Sequence, residues 1–387
     1  MNRPAGLLSI KHNEITFMSS KLAKESIMAS PSMSRRAAIA TGSAAAGMLF
    51  TNGCSQPVQE TESPASKPVH PPFLTPWSPD PNVKRDLTPG PTPIRLGSWR
   101  RDCTLDYPEK ISITEMVQRV RDYGFTAGNS HTPLGKRNPW LDASESEITE
   151  LKHALQTYDV LYFDVHTVVF NIHPDIEERK KSIRHVIEQC EAAERVGCPM
   201  VTTHLGTRST ESAVAPHPDN WTWETWKDGV ASIKEILDAT SGMNVELGIE
   251  AVNMTAMNNP KAHKQLMEDV GDPRCKVLLD PINMIYLGNY FRTTELIQEC
   301  FELLGENIIA AHAKDTYVLP NKMSAYITEV AAGKGLLDYE LYLVELSRLR
   351  YPRTLLIEHL PYEEYDIAKK YIDETAAKVG VKFYGQA

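Results

Sequence analysis

From Ile94 onward the chain alternates between short apolar runs and helical periods. The apolar runs are "IRLGSW", "FTAGNS", "VLYFDVH", "PMVTTH", "VELGIEAVN", "KVLLDPINM", "IIAAHAKD" and "TLLIEHL". Each is followed by a segment such as "SITEMVQRVRDYG", in which Ile113, Met116, Val117 and Val120 repeat at helical spacing. Strands that are apolar on both faces and separated by helices belong to parallel sheets, because the crossover helices cover both faces. Eight such units predict a single closed (β/α)8 barrel of the α/β class, a TIM barrel, over residues 94–387. An open doubly wound sheet would carry a glycine-rich phosphate turn after its first strand, and "LGSWRRDC" is not one.

The residues before the barrel read differently. "SMSRRAAIATGSAAAGMLFTNGC" pairs Arg35 and Arg36 with a short apolar stretch. That pattern resembles a twin-arginine export signal, and the apolar stretch is too short to span a membrane. Residues 1–54 are therefore expected to be an export signal, with translation starting at Met33. Cys54 stands where a lipid anchor would attach. Residues 55–93 hold eleven of the 26 prolines and are expected to form a disordered, Pro-rich linker. The expected location is periplasmic, either free or as a membrane-anchored lipoprotein.

Charge and cysteine content narrow the function. A net charge of −9 is the wrong sign for a nucleic-acid partner, which needs a basic stripe. The six cysteines include no CxxC pair and do not read as a disulfide framework. Buried thiols fit a protein that folds in the reducing cytoplasm, where a metal can be loaded before export.

Barrel chemistry lies at the C-terminal ends of the strands. Those ends carry Trp99 and Arg100, then Asn129, His166 and His204, then Glu250 with Asn253. The last three carry Asp280 with Asn283, His312 with Lys314, and Glu358 with His359. Glu250, Asp280, His312 and Glu358 come from four consecutive strands. Three converging carboxylates repel one another unless they bind protons or a cation. Three oxygens and one imidazole suit Mn²⁺, Mg²⁺ or Co²⁺ better than a structural zinc, which prefers thiolates. Mn²⁺ is the expected ion. Lys314 shares a strand face with His312, so it either polarises a substrate oxygen or pairs with Asp315.

"GIEAVN", "LLDPIN", "AAHAKD", "LLIEH" and the loop "GKGLLDY" resemble the sugar-phosphate isomerase/epimerase group of xylose isomerase-like barrels. The resemblance covers residues 94–387. It implies a divalent metal that holds a carbonyl and a neighbouring hydroxyl of a sugar, with Glu250 and Glu358 both ligands and proton-transfer residues. It also sets this chain apart from the ketose 3-epimerases at three positions, where Ala256, Asn283 and Val318 replace a Glu, a His and an Arg.

The expected activity is isomerisation or epimerisation of a non-phosphorylated sugar or keto-sugar through a metal-stabilised enolate. The alternatives are β-elimination from a 3-keto-glycoside and an inactive, tethered carbohydrate-binding barrel. The catalytic candidates are Glu250, Glu358, His204 and Lys314. Trp99, His166, Asn253 and Asn283 are the candidate substrate contacts. Trp221, Trp223 and Trp226 at the start of one helix suit packing or contacts between copies in a homo-oligomer.

Overall fold

A computed structural model describes residue 80 and residues 82–385 of the chain. The expected export signal, Cys54 and the expected linker as far as residue 79 lie outside the described residues. The strands are β1 (Arg95–Ser98), β2 (Ala127–His131), β3 (Leu161–His166), β4 (Met200–His204), β5 (Glu246–Glu250), β6 (Cys275–Leu279) and β7 (Ile308–Ala313). A hairpin of β8 (Asp315–Val318) and β9 (Ile327–Val330) follows, and then β10 (Thr354–Ile357). Strands β1 to β7 and β10 pair in parallel and close into a barrel.

Among the described residues eight α-helices cover the barrel: α1 (Ile113–Asp122), α2 (Glu145–Tyr158), α3 (Ile176–Val196), α4 (Trp223–Ala239), α5 (Pro260–Val270), α6 (Thr293–Leu304), α7 (Tyr339–Arg348) and α8 (Tyr365–Val379). Their boundaries follow from local chemistry. Ser144 and Glu147 form a capping box at the start of α2, which satisfies backbone N–H groups that have no helical partner. Gly197 ends α3 in the left-handed region at φ 79°, where a Cβ would be strained. Helix α1 buries Ile113, Met116, Val117 and Val120, the residues whose spacing predicted it.

Strand register sets the height of each side chain. Glu250 lies opposite Leu278, two residues before Asp280. His312 lies opposite Leu356, two residues before Glu358. A stagger of two residues keeps the same face inward, because side-chain direction alternates along a strand. Leu278, Ala310 and Leu356 therefore form part of a small apolar cluster one layer beneath Asp280, His312 and Glu358.

The linker expectation needs correction at its C-terminal end. From residue 82 the chain is bonded to the barrel. Gly90 N donates to Ser347 Oγ at 2.8 Å, Thr92 N donates to Ser347 O at 3.1 Å, and Arg85 pairs with Asp338 at 2.8 Å. Proline richness removes donors, but the N–H groups that remain still find partners. Cys103, Cys190, Cys198, Cys275 and Cys300 are buried free thiols. Among the described residues no helix is long and apolar enough to cross a membrane.

Asp315 does not pair with Lys314. Its carboxylate accepts four backbone N–H bonds, from Thr316 (2.8 Å), Gly335 (3.0 Å), Leu337 (3.0 Å) and Gly333 (3.2 Å). It thereby ties the loop after β9 to the start of β8. Asp315→Ala should cost about 2–4 kcal/mol, because it strands several buried donors at once. Urea unfolding measures this, and a loss below about 1 kcal/mol would mean that water substitutes for the carboxylate.

Candidate metal centre at the barrel mouth

The ends of β5, β6, β7 and β10 bring Glu250, Asp280, His312 and Glu358 together. One donor atom from each lies within 4.8 Å of the others, and all four residues are buried. His312 Nδ1 is 2.8 Å from Glu358 Oε1, 3.2 Å from Glu250 Oε1 and 3.7 Å from Asp280 Oδ2. Lys314 Nζ is 2.8 Å from Asp280 Oδ2 and 2.9 Å from Glu358 Oε1.

The donor set fits a divalent cation. Three carboxylates against one ammonium leave two negative charges when His312 is neutral. Asp280 Oδ2 and Glu358 Oε1 are buried and meet no hydrogen-bond donor of good geometry, which leaves them lone pairs for an ion. The titration behaviour reflects the same crowding. Burial opposes a charge on His312, yet the Glu358 and Glu250 carboxylates hold its pKa well above the ordinary imidazole value. Burial also opposes a charge on Glu358, and His312 and Lys314 overcome it to hold that carboxyl well below its usual range. At Asp280 burial wins over Lys314, and the pKa is raised.

His166, His204 and Glu250 form a second group whose donor atoms lie within 4.8 Å of one another. It shares Glu250 with the first group. His204 Nε2 is 3.5 Å from Glu250 Oε2, and burial pushes its pKa down to about 4, so the ring is neutral at pH 7. His166 Nδ1 and His204 Nδ1 have no hydrogen-bond partner. The sequence pointed to neither the second grouping nor Asp164 beside it. Asp164 is fully buried, neither carboxylate oxygen has a hydrogen-bond donor, and Oδ2 is 3.6 Å from His166 Nδ1. Alternation two residues ahead of His166 was the only available signal.

The other candidates divide. Trp99 faces the mouth, with its ring 4.9 Å from that of His166 and 5.7 Å from that of His359. Its indole N–H is buried without an acceptor. Asn283 Nδ2 donates to Glu250 Oε1 at 2.9 Å, so it orients a candidate metal ligand. Asn253 lies in the loop after β5, three residues past Glu250. Its amide donates to the Ile285 carbonyl, which joins the loops after β5 and β6. Lys314 pairs with Asp280 and Glu358, and with Glu329 at 3.2 Å. Glu329 comes from β9 and also reaches His359 Nδ1 at 3.4 Å. Only the hairpin brings it here, and its sequence position carries no such signal. His359 adopts φ 55°, which is strained for a residue with a Cβ and is the kind of geometry held in place at functional sites.

The chain closes a parallel barrel whose mouth gathers four candidate metal ligands at the ends of β5, β6, β7 and β10. The chain belongs to the xylose isomerase-like TIM barrel family, whose sequence model matches residues 117–383. Two solved structures share the fold. A xylose isomerase domain protein from Planctomyces limnophilus is 18% identical, with a TM-score of 0.53 over 76% of this chain and 98% of that one. A xylose isomerase-like TIM barrel protein from Mycobacterium smegmatis, in complex with magnesium, is 14% identical, with a TM-score of 0.52 over 75% and 98%. Among curated proteins, a probable endonuclease 4 from Haloarcula marismortui is 24% identical over 213 residues, which is 53% of this chain and 73% of that protein.

Proposed function

We propose that the protein is a divalent-metal-dependent isomerase or epimerase acting on a non-phosphorylated sugar or keto-sugar. The observation that carries this reading is the convergence of Glu250, Asp280, His312 and Glu358 from four consecutive barrel strands. A divalent ion held there would act as a Lewis acid on a carbonyl oxygen and so acidify the neighbouring C–H. Mn²⁺ suits the donor set, and the Mycobacterium smegmatis relative was solved with Mg²⁺.

The residues of this chain supply the proton transfer. Ionised Glu250 and Glu358 can accept a proton from the carbon next to the carbonyl, and neutral His204 stands beside Glu250. Returning the proton to the other face gives an epimer, and returning it to the former carbonyl carbon, while the neighbouring hydroxyl proton passes to the former carbonyl oxygen, gives an isomer. Lys314 places a positive charge against the carboxylates where an oxygen-centred charge would develop. Trp99 offers an apolar surface to a sugar ring at the mouth. Export by the twin-arginine route, free or lipid-anchored, would favour a neutral sugar, because phosphorylated sugars belong to the cytoplasm.

A second reading, β-elimination from a 3-keto-glycoside, is favoured by Ala256, Asn283 and Val318. It uses the same proton abstraction and then expels the β-substituent with its electron pair. The probable endonuclease 4 from Haloarcula marismortui and the His166–His204–Glu250 group favour a multi-metal phosphodiesterase, while the net charge of −9 opposes a DNA partner.

The test is incubation of the full chain with Mn²⁺ in deuterated water with ketohexoses, aldohexoses and 3-keto-glucosides. The reaction is quenched with excess chelator and read by mass spectrometry and proton NMR. One deuteron incorporated per turnover with the skeleton intact is the expected outcome, abolished when chelator is present from the start. Release of an aglycone with a new unsaturated sugar would favour elimination. Incision of abasic plasmid DNA with no exchange into any sugar would overturn the carbohydrate reading. Sugar binding that survives metal removal without chemistry would favour an inactive binding barrel.

A further inference from the structure

Strands β4, β5 and β6 are neighbours in the barrel, and the loops that follow them enclose a groove of about 710 Å³. Trp221 lines it from the first loop, Asn258 from the second and Tyr286 from the third. Trp221 is 53% exposed and Tyr286 is 56% exposed, so two large aromatic faces stand open to solvent. The groove shares Trp221 and Asn258 with a further hollow of about 470 Å³ that bears Trp223, itself 70% exposed.

The loops are locked to one another. Asn220 Nδ2 donates to Met254 O at 2.8 Å, and Asn253 Nδ2 donates to Ile285 O. Asn289 accepts from Tyr286 N at 2.8 Å and donates to Met284 O at 3.0 Å. A groove fixed in this way needs little ordering when a ligand enters. Its charges balance locally, because Lys261 pairs with Glu299 at 3.0 Å and Arg292 pairs with Glu295 at 2.9 Å. Two aromatic faces, neutral amides and no net charge complement a ring with an apolar C–H face and a hydroxyl rim. An ionic ligand would find no excess of opposite charge here.

The groove is linked to the candidate metal centre, because Met284 lines it and the preceding residue, Asn283, donates to Glu250. Asn253, three residues past Glu250, and Tyr286, six past Asp280, line it from the loops after β5 and β6. We infer that this groove binds a neutral pyranose ring attached to the sugar in the mouth, so that the substrate is an oligosaccharide or a glycoside with a sugar aglycone. The inference rests on the carbohydrate reading of the mouth and names the larger substrate class.

The test uses metal-free full-length protein, so that no turnover occurs. The probes are α- and β-linked gluco-, galacto- and manno-disaccharides, with their methyl monosaccharides as controls. Affinity is read by titration, and the ring in contact by saturation-transfer NMR. At least one disaccharide should bind roughly tenfold more tightly than its monosaccharide. Trp221→Ala and Tyr286→Ala should each remove most of that advantage while leaving monosaccharide affinity and Mn²⁺ affinity unchanged. Both side chains are exposed, so circular dichroism should show an intact barrel. No disaccharide advantage anywhere in the panel, or an advantage that survives in both variants, overturns the site. So does a dimer that falls apart in these variants without any change in sugar affinity, since the aromatic faces would then be a contact between copies. Metal-dependent exchange into a monosaccharide without a disaccharide advantage sinks this inference and keeps the enzymatic reading. A disaccharide advantage without any exchange does the reverse.

Discussion

Glu250→Gln is expected to lower turnover by roughly 10³-fold or more and metal affinity by on the order of 100-fold. Among the described residues, Glu250 is the side chain shared by the two metal-capable groups. Its oxygens face His312 at 3.2 Å, His204 at 3.5 Å and Asn283 at 2.9 Å. Glutamine keeps the shape and the barrel but replaces an anionic donor by a neutral one, and it cannot accept the substrate proton. Isothermal titration with Mn²⁺ and the deuterium-exchange assay measure the two losses separately. Retention of metal binding with loss of exchange would assign Glu250 to proton transfer alone. Near-wild-type exchange would remove it from the catalytic set.

Lys314→Met is the second large expected effect, and it depends on metal. Lys314 is 1% exposed and touches two of the three converging carboxylates. Removing one partner of a buried ion pair costs about 3–5 kcal/mol, because the carboxylates lose an adjacent cation. A divalent ion supplies that missing positive charge. The variant should therefore be strongly destabilised when metal-free and regain most of the loss at saturating Mn²⁺, with a larger metal-induced gain than wild type. Urea unfolding with and without Mn²⁺ checks this. An equal loss under both conditions would make Lys314 a packing residue with no electrostatic link to the ion. The exchange rate of the metal-loaded variant should fall by roughly 10²-fold if the ammonium stabilises charge on the substrate oxygen.

Much of this molecule was legible in its sequence. Ile113, Met116, Val117 and Val120 fix α1 because helical periodicity is local. Glu250, Asp280, His312 and Glu358 could be picked out because a polar residue closing an apolar strand stands against its background. The barrel rule then placed all four at one mouth. Residues 82–93 were misjudged because composition reports the absence of a core and says nothing of bonds to a distant one, such as those to Ser347.

Sequence alone determined the eight-unit barrel and the four residues that gather at its mouth, since both depend on local pattern and on the geometry any closed parallel sheet imposes. Only the tertiary structure decided how the charges pair. It turned Lys314 from Asp315 to Asp280 and Glu358, and it used Asp315 to hold a loop. It brought Glu329 back across a hairpin to Lys314 and His359. It also joined three loops into a groove through Asn220 and Asn253. These pairings depend on distances of a few ångströms between residues far apart in the chain. Electrostatic and hydrogen-bond partners are chosen by that proximity, and no spacing along one strand encodes it.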